Sequence, residues 1–247
     1  MTAIDEERRR LDRIAADSLY GAGANRATIT HSFKVFERYI RPGPVLEMGP
    51  AEGHMTGDLA GTNQPLTVVE GAATFCDSLR ARFPTVEVVH ALFEDYAPAQ
   101  AFETIILGHV LEHVDDPVNI LRIAGRWLTP TGRILAAVPN ARSLHRQAAV
   151  IMGLLAFEED LNQADHHHGH RRVYNPETLR RDFREAGLEI EVFGGYWLKP
   201  VSNSQIERDW TDEMLTAFMT LGERYPDIAG EIYVVARRGP QSAGAVT

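Results

Sequence analysis

The heptapeptide Glu47-Met48-Gly49-Pro50-Ala51-Glu52-Gly53 joins two segments of opposite character. Before and into it runs Val45-Leu46-Glu47-Met48, a short apolar stretch after the turn-forming Arg41-Pro42-Gly43-Pro44, which is the pattern of a buried strand. After it, Met55 to Ala60 suits a helix. Glycine at a strand-to-helix turn removes the side chain that would hold a ligand away from the backbone, so a nucleoside can lie against it. The next apolar strand, Leu66 to Val69, ends at Glu70, twenty-three residues after Glu47. A carboxylate there can accept hydrogen bonds from both hydroxyls of a ribose.

Outward from this turn, strand and helix patterns alternate. Strands are predicted over Val86 to Ala91, Phe102 to Leu107, Arg133 to Val138, Leu188 to Phe193 and Glu231 to Arg237. Helices are predicted over Ala72 to Phe83, Val118 to Trp127 and Pro176 to Ala186, the second capped by Asp116 with Pro117 in its first turn. Upstream, Asp5 to Leu19 and Thr28 to Ile40 read as helices, the latter with Ile29, Phe33, Phe36 and Ile40 on one face. Such alternation argues for a parallel sheet with crossover helices. With no repeat and no low-complexity linker, one domain is expected over residues 1–247, with a helical cap (1–40) and a loose tail (239–247).

Composition narrows the class. At 247 residues, 44% hydrophobic and 24% charged, the chain can bury a sizeable core. Its net charge of −9 argues against nucleic acid as partner and favours a small molecule. The single cysteine, Cys76, excludes an internal disulfide and paired-cysteine zinc sites. Neither an export signal at the N-terminus nor a long apolar run is evident, so no membrane partner and a cytoplasmic location are expected.

The turn at 47–53, the acidic Glu70 and the stretch Ile105-Ile106-Leu107-Gly108-His109-Val110-Leu111-Glu112-His113-Val114-Asp115-Asp116-Pro117 together resemble the class I S-adenosylmethionine (SAM)-dependent methyltransferases. The similarity continues through Leu128 to Arg133 and Val138-Pro139-Asn140. Ala51 stands where the family has its middle glycine. The resemblance implies a Rossmann-like α/β fold with a mostly parallel seven-stranded sheet flanked by helices. It implies SAM as cofactor, with S-adenosylhomocysteine as product. Glu47, Gly49 and Gly53 would line its methionine end, Glu70 its ribose, Phe93 and Glu94 its adenine, and Gly108 and His109 the wall near the sulfonium. It also implies that the insert after the fifth strand, residues 141–175, forms a substrate lid.

Methyl transfer needs a nucleophile aligned with the methyl group and shielded from water; a hydroxyl acceptor also needs a base, whereas an amine needs its neutral form. His109, His113, His145, His168 and His170 are the candidate catalytic groups. Tyr20, Asn140, His145, Arg146, His170 and Tyr196 are the candidate acceptor contacts, with Lys199 secondary. Four histidines crowd positions 166–170. They suit an exposed loop or substrate contact; no metal is expected, although the cluster leaves one open. The apolar run Ile151 to Phe157 suits either the lid or the core, and Trp210 to Tyr225 suits either cover for a sheet edge or a contact in a homo-oligomer. The reading is thus a methyltransferase acting on an oxygen or nitrogen of a small molecule, in specialised or sugar-linked metabolism. Its alternatives are a noncatalytic SAM-binding module and a nicotinamide-dependent oxidoreductase; the second is disfavoured because the turn lacks Gly-x-Gly-x-x-Gly.

Overall fold

The computed structural model describes residues 3–16, 21 and 23–240. Helices α1 (Ala3–Ala16) and α2 (Gly23–Phe36) precede strand β1 (Val45–Met48). Next come α3 (His54–Ala60), β2 (Leu66–Glu70), α4 (Ala73–Arg82), β3 (Glu87–His90) and β4 (Phe102–Gly108). Helix α5 (Pro117–Trp127) leads into β5 (Leu128–Pro139). Three helices, α6 (Leu144–Ile151), α7 (Gln163–His168) and α8 (Pro176–Glu185), separate β5 from β6 (Leu188–Tyr196). Helices α9 (Asn203–Asp209) and α10 (Asp212–Gly222) precede β7 (Glu231–Arg238).

The seven strands form one sheet in the order β3-β2-β1-β4-β5-β7-β6. All pairs are parallel except those of β7, which runs antiparallel to both β5 and β6. This is the Rossmann-like, mostly parallel arrangement expected from the sequence. Helices cover both faces, so β1, β2 and β4 are buried on both sides and read as unbroken apolar runs. Leu46 and Met48 point into one core with Ile105 and Leu107, while Val45 points into the other with Val68 and Ile106. Helix α5 shows how locally this is written. The Asp116 side chain accepts from the Asn119 N–H at 2.9 Å, Pro117 starts the first turn, and Ile120, Leu121 and Ala124 go into the core at helical spacing. Strand order reverses at β1, which lies between β2 and β4 and opens a crevice at the carboxyl ends of these strands.

Several boundaries differ from the sequence reading for tertiary reasons. Strand β5 starts at Leu128 rather than Arg133, because its pairing with β4 passes through an irregularity between Phe102 and Thr104. Strand β6 runs on through Gly194 and Gly195 to Tyr196; a Cβ on Gly194 would lie 2.4 Å from the Tyr233 ring, so glycine is what lets these two strands approach. The apolar run beyond Ile151 is not core: Ile151, Met152, Leu154 and Phe157 are 87%, 70%, 69% and 68% exposed. Helix α6 is only eight residues long, and its one buried residue is Arg146. Helix α10 docks where the chain leaves β6: the Met219 and Phe218 carbonyls accept from Trp197 and Leu198 N–H at 2.8 Å, and Met219 joins the core with Val35 and Tyr196. Tyr20, the end of the first predicted helix and residues 241–247 of the tail lie outside the described residues.

Candidate active site

A large cavity, about 830 Å³, opens at the carboxyl ends of the strands. One end is built by the β1–α3 turn. Gly49, Ala51 and Gly53 all take left-handed backbone conformations, with φ of 69°, 47° and 73°. Ala51 therefore holds a conformation that costs an L-residue ~1–2 kcal/mol relative to glycine. Ala51→Gly should stabilise the protein by a net ~0.5–1 kcal/mol, after the greater freedom of glycine in the unfolded chain is discounted. An unchanged urea midpoint would show the strain to be absent. Glycine is favoured at position 53 by its φ of 73°, and a Cβ there would sit 2.4 Å from Leu79 Cδ2, which would have to shift.

Two carboxylates stand at the ends of adjacent strands here. Glu70, 5% exposed, accepts the Ala51 N–H at 3.1 Å and the Ala72 N–H at 2.8 Å, tying β2 to the glycine turn. Glu47 accepts the Thr56 hydroxyl at 2.6 Å. Burial pushes the Glu47 carboxyl up to about 7, with Thr56 pulling the other way and Glu70 adding to the rise. Between its ordinary value of 4.5 and about 7, the folded state holds a proton the unfolded chain releases. Stability must therefore fall as pH rises through this window and stay lower above it. Glu47→Gln should reduce that slope, Glu231 keeping its own share of it, and raise the stability of the ligand-free protein at pH 8 by ~1–3 kcal/mol, read from urea unfolding at pH 5 and pH 8. Phe93 and Glu94, in a short 3₁₀ turn after β3, line the same end of the cavity.

Gly108 and His109 form the wall between the two ends. His109 has φ of 59° and is 17% exposed at its side chain. Its Nδ1 lies 3.6 Å from Glu112 Oε1 and 3.7 Å from Glu231 Oε2, and its Nε2 lies 3.3 Å from both Ser32 Oγ and Tyr196 Oη. Burial alone would lower its pKa, but the two carboxylates reverse this and leave it raised.

The far end is polar and was only partly legible in the sequence. His145 lines it with an Nδ1 that has no hydrogen-bond partner, and burial, helped by Lys199 and Arg146, keeps its ring neutral. Lys199 is pushed down to about 8 by burial against the pull of Glu231. Glu231 is pushed up to about 7 by burial, with His109 and Lys199 opposing. Glu231 reads in the sequence only as the start of a strand; its facing into the cavity is set by the antiparallel pairing with Pro139 and Tyr196.

Other candidate residues occupy different positions from one another. Asn140 lines the cavity, but its amide donates to the Asp227 and Ala229 carbonyls and accepts from Arg142 N–H, so it clamps the backbone. Tyr196 is fully buried and lies behind the wall rather than on the cavity, its hydroxyl 2.5 Å from Ser32 Oγ. Arg146 lines the cavity with its guanidinium committed: it donates to the Glu158 carbonyl at 2.8 Å, to the Asp160 carbonyl and to Asp165 Oδ2 at 3.0 Å. Of the four clustered histidines, His166 and His167 are exposed and His168 and His170 line the cavity. The cluster is a helix end rather than an exposed loop. It is docked onto the 111–115 turn because the Arg171 N–H donates to Glu112 O, the Arg171 side chain to His113 O, and the Arg172 side chain to Leu111 O, each at 2.8 Å.

Comparison with known proteins agrees with this geometry. A family model described as a methyltransferase domain matches residues 24–191, more than half of the chain. A ubiquinone biosynthesis O-methyltransferase of Xanthomonas euvesicatoria pv. vesicatoria is 27% identical over 165 residues, covering 64% of this chain and 68% of that protein. The fold is shared with the N-methyltransferase NodS of Bradyrhizobium japonicum WM9 in complex with S-adenosyl-L-homocysteine: TM-score 0.61, 14% identity, 94% of this chain and 98% of the other. It is also shared with the glycopeptide N-methyltransferase MtfA complexed with SAM: TM-score 0.58, 14% identity, 85% and 87% of the two chains.

Proposed function

The chain belongs to the methyltransferase-domain family, and from that premise we propose that its cavity binds SAM at the glycine-turn end and a small polar acceptor at the other, methylating an oxygen or nitrogen of that acceptor. The observation that carries this reading is the continuity of one cavity from Glu47 and Glu70 past Gly108 and His109 to His145, Lys199 and Glu231. About 830 Å³ is room for a nucleoside cofactor and a small acceptor together.

The residues present fit such a cofactor. The turn at 49–53 offers backbone without side chains, and Glu70 ends β2 where a ribose would lie. Phe93 and Glu94 flank the place for an adenine, and Glu47 with Gly49 the place for the amino-acid end. When bound, SAM supplies an electrophilic methyl group on a sulfonium. The protein's part is to hold the acceptor in line, exclude water and take up its proton where one must leave. The His145 ring, held neutral by burial beside Lys199 and Arg146, can orient a hydroxyl by a hydrogen bond but is a poor final holder of its proton. Lys199, pushed down to about 8, can steer an acidic group or share the proton. This favours a hydroxyl acceptor over an amine, in keeping with the O-methyltransferase relative, and a polyhydroxylated or sugar-linked molecule suits the many polar groups. Residues 141–175 would form the lid of this end, within a single domain.

Calorimetric titration of the purified protein with SAM and, separately, with NADH tests the reading. Saturable SAM binding with no NADH binding is the expected result, and NADH binding without SAM would overturn it. SAM binding with no methyl transfer to any hydroxyl or amine in a broad acceptor panel would instead indicate a noncatalytic SAM-binding module.

A further inference from the structure

One cluster on the cavity wall is not needed for any step above. Glu112, His113 and His170 each present a ligand-type atom, and these atoms lie within 4.8 Å of one another. Glu112 is 1% exposed, and among the described residues neither of its carboxylate oxygens has a hydrogen-bond partner within 3.5 Å; His109 Nδ1 lies just beyond, at 3.6 Å. A buried carboxylate left without hydrogen bonds is costly unless a cation completes it. The His113 and His170 rings meet edge to face, with centroids 4.8 Å apart.

We propose that Glu112, His113 and His170 form a binding site for one divalent transition-metal ion on the acceptor side of the cavity. Two imidazoles and one carboxylate are a donor set suited to zinc, cobalt, manganese or iron(II), and three protein ligands leave coordination positions open. All three residues line the cavity. The surroundings are those of ligands held in place. His170 Nδ1 lies 3.2 Å from Asp165 Oδ1, and Asp165 is itself fixed by Arg146 at 3.0 Å. The His113 ring is hydrogen-bonded to the Gly169 backbone. A carboxylate or carbonyl behind a histidine orients the ring for a metal and raises its basicity. Glu112 and His113 are brought to His170 by the Arg171 and Arg172 bonds that bind residues 170–172 to the 111–115 turn. If the cavity takes an acceptor as proposed above, the ion would hold an oxygen of that acceptor; the metal site itself does not depend on that reading.

The full chain, stripped with chelator, is titrated with Zn²⁺ by calorimetry and with Co²⁺ by visible absorption. One equivalent of each binds, and Co²⁺ develops d–d bands of a nitrogen- and oxygen-ligated ion. Glu112→Gln and His170→Ala each weaken binding by at least ~100-fold, while a His166→Ala/His167→Ala double variant binds as the parent does. Absence of one-equivalent binding in the parent overturns the site, as does undiminished binding in Glu112→Gln. Loss of binding only in the His166/His167 variant would place the metal on the surface and overturns it equally. Circular dichroism identifies a variant that has not folded; should His170→Ala fail, the parent and Glu112→Gln titrations still decide. SAM titrated in parallel separates the two proposals: metal without SAM removes the cofactor reading alone, and SAM without metal removes the metal site alone.

Discussion

Replacing Glu70 by alanine should weaken SAM binding by ~30- to 1,000-fold while leaving the fold intact. A carboxylate that accepts from two ribose hydroxyls makes charge-assisted hydrogen bonds of ~1.5–3 kcal/mol each, and part of that sum is recovered by water in the variant, leaving a loss of ~2–4 kcal/mol. The effect has a second source particular to this chain. Glu70 also holds the Ala51 and Ala72 N–H groups, so its loss frees the strained turn that forms the floor of the site. Glu70→Gln keeps one acceptor oxygen and should fall between the two. Calorimetry supplies the affinities and circular dichroism the control for folding. Parent-like SAM affinity in Glu70→Ala would place the ribose elsewhere.

Arg146→Ala should open the segment between β5 and β6. The Arg146 side chain is 5% exposed and ties together the Glu158 and Asp160 carbonyls and the buried Asp165 carboxylate. Removing one partner of a buried ion pair costs ~3–5 kcal/mol, because the remaining charge stays desolvated. That cost falls on a unit with little apolar anchorage, since Ile151, Met152, Leu154 and Phe157 all face solvent. It should therefore appear as local opening rather than global unfolding. Amide hydrogen exchange over 144–170 is expected to quicken by ~100-fold or more, with the β4 and β5 amides unchanged. Arg146→Lys should rescue little, because a single ammonium cannot reach three acceptors in the fork that a guanidinium spans. Exchange unchanged in Arg146→Ala would show that the pair does not hold the segment.

What could be read from the sequence was what is local along the chain. Buried parallel strands are short apolar runs, and an N-cap such as Asp116 acts within three residues, so seven strands and the α5 cap could be placed in advance. The glycine-turn half of the cavity was legible for the same reason. Glu47 and Glu70 end neighbouring strands, and the turn between β1 and α3 must carry residues that tolerate positive φ. Ala51 shows where that logic bends: the left-handed conformation persists without glycine because Glu70 and the flanking strands impose it.

The far half was decided mainly by tertiary structure, although His145, His170 and Lys199 stood among the candidates of the sequence. Its groups come from the 109–113 turn, from the segment after β5, from Lys199 after β6 and from Glu231 at the start of β7. No spacing rule relates these positions, because they meet only when an antiparallel β7 is inserted between β5 and β6 and the arginines of 171–172 fold a histidine-rich helix end onto the wall. Side-chain direction at such a meeting point depends on strand register and on long-range hydrogen bonds. Those are properties of packing, and the order of residues does not display them.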